Sequence, residues 1–386
     1  MVIGIDGNEA NVKHRVGSGQ YAFELLHQFA KSEKYHFLVY LKDKPLFDLP
    51  KESVNFKYKV FGPKRLWTQF ALPISLTFSL SRHSAGQKPD VFFSMTHYGP
   101  RFSKVPYVVT IHDLSYLRYP EMFKKNDLYQ LTNWTKYSVK NAAHIIAVSQ
   151  TTKDDIVKNY HVSPSKITVT YEGYDENRFE PQPKSKVESV KSKYKIKEGY
   201  IIFVGTLQPR KNLERLLEAF SSLVHRSSNS QTMNYELRTM NLVIVGKKGW
   251  MYDQIFEKVK MLKLQDSVIF TDYVPDVDLP ALISGAQAYI LPSLWEGFGL
   301  PVIEAQACGV PVVVSNASSL PEIVGDSGIL IDPNSADSIA SGIKNVLTNN
   351  QTRSDLVEKG FENIKRFSWE KCAKETLQVL EKIASN

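Results

Sequence analysis

The sequence predicts an α/β protein with two successive parallel sheets, and two observations lead to this prediction. Short apolar runs of strand length alternate with helix-length segments along nearly the whole chain of 386 residues. The alternation stops at a charged, proline-bearing stretch, Pro181–Gly199, and then starts again. A chain of this length can hold two domains, each large enough to bury its own apolar core.

Twelve apolar runs are the predicted strands of the two sheets. The first half carries Val2–Asp6, Phe37–Tyr40, Val91–Phe93, Tyr107–Ile111, His144–Val148 and Ile167–Thr170. The second half carries Tyr200–Gly205, Leu242–Gly246, Val268–Phe270, Ala288–Leu291, Val312–Val314 and Gly328–Ile331. Because most of these runs are apolar throughout, we expect them to be buried on both faces, as parallel strands are.

The domain boundaries follow from these runs. We expect residues 1–180 to form the first domain, 181–199 to form a linker with a short exposed helix, and 200–367 to form the second domain. Residues 368–386 have the apolar spacing of an amphipathic terminal helix. Ligands of doubly wound folds bind outside the carboxyl ends of the strands, so we expect the site in the cleft between the domains.

Composition and charge limit the classes of function. Apolar residues make up 42% and charged residues 23% of the chain, values typical of a soluble globular protein. The net charge of +8 divides into +7 over residues 1–180, +4 over 181–200 and −3 over the rest. A basic first half favours an acidic partner, such as an anionic membrane surface or a lipid-linked diphosphate, although a merely solvated surface explains it equally well. Nucleic acid is not expected, because no recognition motif accompanies the charge.

Other features bear on localisation. No basic region followed by an apolar core opens the sequence, so we expect no secretory signal. Cys308 and Cys372 lack metal-ligand spacing, which indicates a reducing compartment and no structural zinc. The longest apolar stretch, Leu66–Leu80, is too short to cross a bilayer and predicts a buried helix, with surface insertion as the alternative. We expect a cytoplasmic protein, with peripheral attachment to the inner face of the membrane left open.

The most informative segment reads LPSLWEGFGLPVIEAQACGVPVVVS. Seven residues separate Glu296 from Glu304, and the residues between them predict a tight loop that opens a helix. Gly299 has no Cβ atom, so the backbone can approach a ligand closely there. Pro301 suits the first helical turn, whose N–H groups can bind an anion such as a diphosphate. One carboxylate would then lie on each side of the anion.

A second cluster of candidates lies in the segment IIFVGTLQPRKNLERLLEAF. A buried strand ends at Gly205 and a helix begins near Asn212, which places Arg210 and Lys211 at the helix mouth. Fixed cations there would neutralise the negative charge that builds on a departing phosphate. No metal is expected, because the nearest Asp-x-Asp motif, Asp276–Asp278, lies in a later loop.

The first half contains two more candidate elements. Gly17 and Gly19 belong to the string GSGQYA, but ten residues separate them from Asp6, which excludes the tight first turn of an NAD site. His112 follows a buried strand, so we expect it in the cleft, where it could orient or relay the proton of an acceptor. A structural histidine bonded to a backbone carbonyl is the alternative. His97 is a weaker second candidate.

These motifs resemble those of retaining glycosyltransferases of family 4, which have the GT-B fold of two doubly wound, Rossmann-like domains facing a central cleft. The E-x7-E segment with its glycines, proline and following ACGVPVV strand carries the strongest resemblance, and matches extend over nearly the whole chain. The chain departs from the family at Glu172 and Tyr174, which replace the asparagine and the aliphatic residue of the family's N-G-[VI]-D segment.

The resemblance implies a role for each candidate. Glu304 would accept hydrogen bonds from the ribose, and Glu296 would lie near the transferred sugar. The implied catalytic residues are Glu296, His112, Arg210 and Lys211, of which the last two would also grip the diphosphate. The other implied donor-binding residues contact the donor through backbone groups: Gly17, Gly19, Gly205, Tyr273, Val274, Phe298, Gly299 and Leu300.

The resemblance implies a retaining, metal-independent enzyme with no cofactor besides its nucleotide-sugar substrate. It would move a hexose to a hydroxyl of a glycan or polyprenol-linked acceptor in cell-surface polysaccharide synthesis. The segments THYGP and TIHDLSYLRYPE look like those of mannosyl members, which favours GDP-mannose as donor. Glucosyl or galactosyl transfer from a UDP-sugar stays open. A GT-B nucleotide-sugar epimerase and a non-catalytic sugar-nucleotide binder are rivals from other classes.

Overall fold

The computed structural model describes residues 1–64, 66–77, 88–197, 199–228 and 239–385. The chain forms two compact units: unit 1 comprises Met1–Gly173 with Phe367–Asn386, and unit 2 comprises Tyr174–Arg366. Three predicted segments extend outside the described residues, namely the end of the 66–80 helix, residue 198 of the linker and residue 386 of the terminal helix.

Unit 1 is built on a seven-stranded parallel sheet with the order β3-β2-β1-β4-β5-β6-β7. Its strands are β1 Val2–Asp6, β2 His36–Leu41, β3 Phe56–Val60, β4 Val91–Ser94, β5 Tyr107–Ile111, β6 His144–Ala147 and β7 Ile167–Val169. The six predicted strands are confirmed within one or two residues. The pattern does not predict β3, because this edge strand alternates lysines with its apolar residues and is only partly buried.

Helices cover both faces of this sheet. They are α1 Ser18–Phe29, α2 Ala71–Thr77, α3 Ser115–Arg118, α4 Lys125–Asn141, α5 Gln150–Tyr160 and a terminal helix, Trp369–Ala384. The terminal helix buries Trp369 and Cys372 and packs against α1. Gly173 allows the chain to pass close to the start of the terminal helix, because a Cβ atom there would lie 2.1 Å from the backbone nitrogen of Trp369.

The apolar stretch that begins at Leu66 differs from the predicted buried helix. Its helix, α2, buries Leu72 and Leu76 but leaves Ile74 49% exposed, and Phe70 just before it is 59% exposed. The prediction is correct for one face only, because the apolar residues surround the helix while just one side of it meets the sheet. Within the described ranges, no helix combines the length and the apolarity needed to cross a membrane.

Unit 2 is built on a six-stranded parallel sheet with the order β10-β9-β8-β11-β12-β13. Its strands are β8 Tyr200–Val204, β9 Asn241–Val245, β10 Val268–Asp272, β11 Ala288–Leu291, β12 Val312–Ser315 and β13 Gly328–Ile331. Its helices are α6 Lys184–Lys193, α7 Leu213–Ser228, α8 Asp253–Met261, α9 Leu279–Ser284, α10 Leu300–Ala307, α11 Leu320–Val324, α12 Ala336–Thr348 and α13 Asn350–Ile364. All six predicted strands are confirmed.

The domain boundary differs from the predicted one. Residues 174–180, which we expected in the first domain, belong to unit 2, where Arg178 pairs with Asp276 at 3.0 Å. The expected linker also belongs to unit 2, because α6 within it buries Val187 and Val190. Charge and proline content predict an exposed linker, but two valines on one face are enough to fix a short helix on unit 2.

Candidate active site

The strand order of unit 2 reverses between β8 and β11. Helical connections leave these two neighbouring strands toward opposite sides, so their loops diverge and open a crevice at the carboxyl edge of the sheet, where doubly wound folds bind ligands. Arg210 and Lys211 lie in the loop after β8, and Glu296 lies in the loop after β11. The topology therefore brings the strongest candidates of the sequence to one place.

Asn212 fixes the loop after β8 to the loop after β11. The residue has the left-handed conformation with φ of 59°, which asparagine tolerates better than most side chains. Its buried Nδ2 group donates hydrogen bonds to the carbonyls of Pro292 at 2.9 Å and Pro333 at 2.7 Å. The backbone N–H of Leu294 donates to the carbonyl of Arg210 at 2.9 Å. These hydrogen bonds tie the two loops together.

Glu296 is the centre of a buried charge cluster. Its Oε1 atom lies 2.5 Å from Lys211 Nζ, and its Oε2 atom lies 3.1 Å from Arg210 Nη1. The side chains of Lys211, Arg210 and Glu296 are 12%, 17% and 8% exposed, so solvent screens them weakly. Arg210 Nη1 also donates to the carbonyl of Trp295 at 2.6 Å. Two cations against one carboxylate leave a net positive charge.

The cluster determines the protonation state of Glu296. Burial alone disfavours the charged carboxylate, but the positive charges of Lys211 and Arg210 outweigh burial and lower the pKa of Glu296. The carboxylate is therefore ionised at neutral pH. It is suited to stabilise positive charge next to it and is not suited to donate a proton.

The loop that follows Glu296 is held by two serines. The backbone N–H of Glu296 donates to Ser318 Oγ at 2.9 Å, and Ser319 Oγ lies within 3.0 Å of the carbonyls of Glu296 and Phe298. Gly299 has a φ of 112°, and a Cβ atom there would lie 2.9 Å from Leu320 Cδ2. The loop thus requires glycine at this position and leads directly into α10.

Helix α10 supplies the second acid and a candidate anion site. Leu300 and Pro301 form its first turn, and among the described residues no side chain caps it. Glu304 is half-buried one turn later. Buried Tyr289 of β11 donates to the carbonyl of Val204 at 3.3 Å, and its pKa is raised first by burial and then by the charges of Glu296 and Glu304. Both acids therefore act on one buried hydroxyl.

The remaining candidates of unit 2 lie around this cluster. Gly205 directly follows β8, and a Cβ atom there would lie 3.7 Å from Lys211 Cε. Tyr273 and Val274 follow β10, which β9 separates from β8. Tyr273 is 42% exposed and accessible to a ligand. The side chain of Val274 is buried, so only the backbone of Val274 could contact a ligand.

The two acids of the Asp-x-Asp motif are engaged in ion pairs. Asp276 pairs with Arg178 at 3.0 Å, and Asp278 pairs with Lys193 at 2.5 Å. Over the described part of the chain, no three His, Cys, Asp or Glu side chains group as metal ligands would.

In unit 1, His112 lies at the end of β5 with both ring nitrogens occupied. Its Nε2 atom lies 3.0 Å from the carbonyl of Met95, and its Nδ1 atom lies 3.4 Å from Glu172 Oε1. Burial lowers the pKa of His112, but the Glu172 carboxylate outweighs burial and raises it. Both ring nitrogens therefore face acceptors within the protein, and the relay role of His112 stays a prediction. The carbonyl bond matches the structural alternative.

The glycine string of the first half lies at the start of a helix. Gly17, with a φ of 51°, immediately precedes α1, and Gly19 lies in its first turn. The N–H of Gly19 donates to the carbonyl of Val16 at 3.1 Å, so this donor is already used. Helix α1 carries Tyr21, whose ring meets the ring of His112 edge-on at 4.9 Å. Burial lowers the pKa of the weaker candidate His97 to about 4, which keeps it neutral.

Four residues of the two sites were missed. Asn212, Ser318 and Ser319 shape the loops of unit 2, and Glu172 pairs with His112 in unit 1. Serines in a loop give no distinctive sequence signal, because their partners are remote backbone atoms. Glu172 did give a sequence signal, since it replaces the family's asparagine. The signal did not identify its partner, because His112 lies 60 residues earlier in the chain.

Comparisons with known proteins give one consistent result. Residues 185–363 match the model of glycosyl transferases group 1, and residues 16–178 match that of glycosyltransferase family 4. O-antigen chain mannosyltransferase B of Escherichia coli is 33% identical over 287 residues, which are 73% of this chain and 72% of that protein.

Solved structures agree with this result. Sucrose-phosphate synthase from Thermosynechococcus elongatus superimposes with a TM-score of 0.75 at 19% identity, over 100% of this chain and 99% of that one. Anabaena Alr3699/HepE in complex with UDP-glucose also gives 0.75, at 18% identity and over 99% of both chains. Together with its two parallel-sheet units, these matches establish that the chain belongs to glycosyltransferase family 4 and has the GT-B fold.

Proposed function

We propose that the chain is a retaining hexosyltransferase that moves mannose from GDP-mannose to a hydroxyl of a glycan or polyprenol-linked acceptor in cell-surface polysaccharide synthesis. The observation that carries the proposal is the buried cluster of Arg210, Lys211 and Glu296 at the point where the strand order of unit 2 reverses. The cluster combines excess positive charge with an ionised acid, which is what the cleavage of a sugar–diphosphate bond needs.

The diphosphate would bind to the two cations and to the first turn of α10. Arg210 and Lys211 carry one more positive charge than Glu296 neutralises. The start of α10, which no side chain of the described residues caps, adds the N–H of Leu300 and the positive end of the helix dipole, whereas Pro301 has no N–H and that of Val302 donates to the carbonyl of Gly299. When the bond between the sugar carbon and the phosphate oxygen breaks, both electrons stay on the oxygen, and these fixed groups stabilise the new charge.

Retention would follow from substitution on one face of the sugar. The acceptor oxygen forms its bond to the anomeric carbon on the face that the diphosphate leaves. The acceptor proton passes to the departing phosphate oxygen, so the charges balance without a separate base. Positive charge develops on the sugar ring meanwhile, and the buried Glu296 carboxylate stabilises it. Glu304 would hold the ribose hydroxyls, since a carboxylate can accept two of them at once.

The similarity to O-antigen chain mannosyltransferase B supports mannose as the transferred sugar and a surface polysaccharide as the product. The similarity to Alr3699/HepE, solved with UDP-glucose, supports a UDP-hexose as the second candidate donor. The basic first half would favour work at the anionic inner face of a membrane, where a lipid-linked acceptor is found.

A panel of nucleotide-sugars tests the proposal. The purified protein is incubated with GDP-mannose, UDP-glucose or UDP-galactose and a lipid-linked acceptor, with and without EDTA, and the product is identified by mass spectrometry and by its anomeric configuration. We expect an α-mannoside from GDP-mannose at the same rate with EDTA. Turnover of UDP-glucose but not of GDP-mannose would show that the mannosyl assignment is wrong.

The same assay separates the rival classes. A nucleotide-sugar epimerase converts its substrate without any acceptor, because the sugar itself gains and loses the proton. A binding protein retains the donor in equilibrium dialysis and yields no product with any acceptor. We expect acceptor-dependent transfer, with only slow hydrolysis of the donor when the acceptor is left out.

A further inference from the structure

Glu172 and His112 form a buried pair in unit 1. Glu172 follows β7 and is 4% exposed, and the side chain of His112 is 13% exposed. The Oε1 atom of Glu172 lies 3.4 Å from Nδ1 of His112. A carboxylate so deeply buried is costly unless a positive charge or a hydrogen-bond donor faces it.

The other ring nitrogen determines the tautomer. The carbonyl of Met95, 3.0 Å from Nε2, can only accept a hydrogen bond, so Nε2 carries a proton. A neutral ring would then direct the lone pair of Nδ1 at the Glu172 carboxylate. Two acceptors facing each other in a buried site repel, and the repulsion ends when a proton occupies Nδ1. The geometry therefore requires a proton between Nδ1 and the carboxylate. Because imidazole is a stronger base than a carboxylate, this proton lies on Nδ1, which gives the imidazolium form with both nitrogens protonated.

Other titratable groups around the pair do not change this result. Tyr21 lies against His112 from α1, and Cys372 lies near Glu172 from the terminal helix. Burial raises the pKa of both, so they stay neutral. His97, 6.1 Å from His112 between ring centres, is neutral because burial lowers its pKa. The carboxylate of Asp113 accepts hydrogen bonds from the N–H and Oγ of Ser115, at 2.8 Å and 2.5 Å.

We propose that Glu172 is a positioning residue that holds His112 as a fixed imidazolium cation, so that His112 does not act as a general base. The catalytic consequence rests on the proposed transferase function. If His112 keeps its protons, the acceptor proton has to leave by another route, and the departing phosphate oxygen is the acceptor that the same-face reaction provides. The cation itself contributes positive potential to unit 1.

Titration of His112 by NMR tests the proposal without any activity measurement. The imidazole signals of His112 are assigned by comparison with His112→Gln, and their pH dependence is followed in the wild-type protein, in Glu172→Gln and in Glu176→Gln. Glu176 is exposed, so its variant controls for the loss of one carboxylate in the same stretch. We expect His112 to stay protonated above neutral pH in the wild type and in the control.

Glu172→Gln removes the carboxylate that does most to raise the pKa of His112. Burial is then opposed only by the Met95 contact and the Asp113 charge, so His112 should lose its proton at a lower pH than in the wild type. An unchanged His112 titration in this variant would overturn the proposal, as would a neutral His112 in the wild type at pH 7. If circular dichroism shows that Glu172→Gln does not fold, Glu172→Asn takes its place, because asparagine is the residue that the family carries at this position. Asparagine also removes the carboxylate, so the two outcomes are read in the same way.

The pH profile of kcat/KM then tests the catalytic consequence. We expect a flat wild-type profile between pH 6 and 8 and, for Glu172→Gln, no rise of kcat/KM with pH as His112 loses its proton. A rise of activity with pH in the variant would show that His112 acts as a base and would overturn the proposal. Absence of transfer by the wild-type protein would contradict the proposed function, while the NMR titration would still decide the pairing.

Discussion

Lys211 Nζ lies 2.5 Å from Glu296 Oε1, and this contact joins the loop after β8 to the loop after β11. Each partner compensates the cost of burying the other. Arg210 contacts the second oxygen of the same carboxylate. Loss of either cation would therefore leave the buried negative charge of Glu296 only partly compensated. The cluster is thus formed before any donor arrives, which reduces the reorganisation that binding requires.

Lys211→Met should weaken both stability and catalysis. It leaves the buried Glu296 carboxylate with one cation instead of two, and removal of one partner of a buried ion pair costs about 3–5 kcal/mol. Arg210 still compensates in part, so we expect a loss near the lower limit, measured by urea unfolding. The KM for the donor should rise and kcat should fall, because the lost charge faces the diphosphate.

A matched variant separates this effect from the loss of any lysine. Lys193→Met removes a lysine from the ion pair with Asp278, in which Lys193 is 56% exposed. We expect only a small loss of stability, because solvent screens this exposed lysine, and unchanged kinetics. Equal losses in both variants would show that burial of the Lys211–Glu296 pair has no special importance.

Glu296→Gln should change the acid limb of the stability curve. The pKa of Glu296 is lower in the folded protein than its ordinary value of 4.5, so its charge stabilises the fold above that value. The stabilisation disappears as the pH falls through the folded-state pKa. We therefore expect the difference in unfolding free energy between wild type and variant to be constant near neutral pH and to shrink below about pH 4.5.

Urea unfolding at several pH values measures this difference, and Glu176→Gln controls for the removal of one exposed carboxyl. A difference that grows as the pH falls would mean that the folded-state pKa of Glu296 is raised instead. Transfer activity at neutral pH should be lost in Glu296→Gln, since the amide cannot stabilise positive charge on the sugar.

Most of the fold follows from local patterns, and the exceptions have physical causes. Apolar runs predict twelve of the thirteen described strands, because parallel strands buried on both faces need apolar residues throughout. Strand β3 is missed because one of its faces is solvated. The linker prediction fails at α6, since a charged stretch needs few apolar contacts to pack when the neighbouring surface is already built.

The site could be predicted only where its residues are close in sequence. Arg210 and Lys211 adjoin a strand end, and so does Glu296, but their mutual contact depends on β8 pairing with β11. The Glu172–His112 pair depends on the placement of five intervening strands and helices, α3, α4, β6, α5 and β7, so no local pattern indicates it. Sequence reasoning therefore located the reactive loops and missed the contacts that hold them.

Asn212→Ala should destabilise unit 2 and loosen the site. The variant loses two buried hydrogen bonds, to Pro292 and Pro333, which leaves both carbonyls without this donor. Alanine also tolerates the left-handed backbone poorly, at a cost of about 1 kcal/mol. We expect a total loss of about 2–4 kcal/mol by urea unfolding and a lower kcat, because Lys211 adjoins this residue.

Asn212→Gly separates the two contributions, since glycine accepts the left-handed conformation freely but cannot donate the two bonds. It should recover about 1 kcal/mol relative to Asn212→Ala. If the glycine variant is as stable as the wild type, the two hydrogen bonds do not hold the loops together.

Gly299→Ala should disrupt the loop between Glu296 and α10. The backbone φ of 112° is outside the range that alanine readily adopts, and the added Cβ atom would lie 2.9 Å from Leu320 Cδ2. Leu320 is fully buried, so it cannot move aside without disturbing its neighbours. Strain of this kind costs on the order of 1–3 kcal/mol, and we expect donor affinity to fall together with stability, because the loop leads into the first turn of α10.

Gly325→Ala is the matched control. Gly325 also has a positive φ, 53°, but no atom lies within 4 Å of the position of an added Cβ atom, so the variant reports the backbone cost alone. We expect about 1–3 kcal/mol of destabilisation, because alanine rarely adopts a φ of 53° with a ψ of −120°. The Kd for GDP-mannose should be unchanged by calorimetry, against a clearly weaker Kd in Gly299→Ala. The same donor affinity in both variants would show that the diphosphate does not bind at the start of α10. A change in the shape of the loop before α10 would alter the affinity of any ligand bound there.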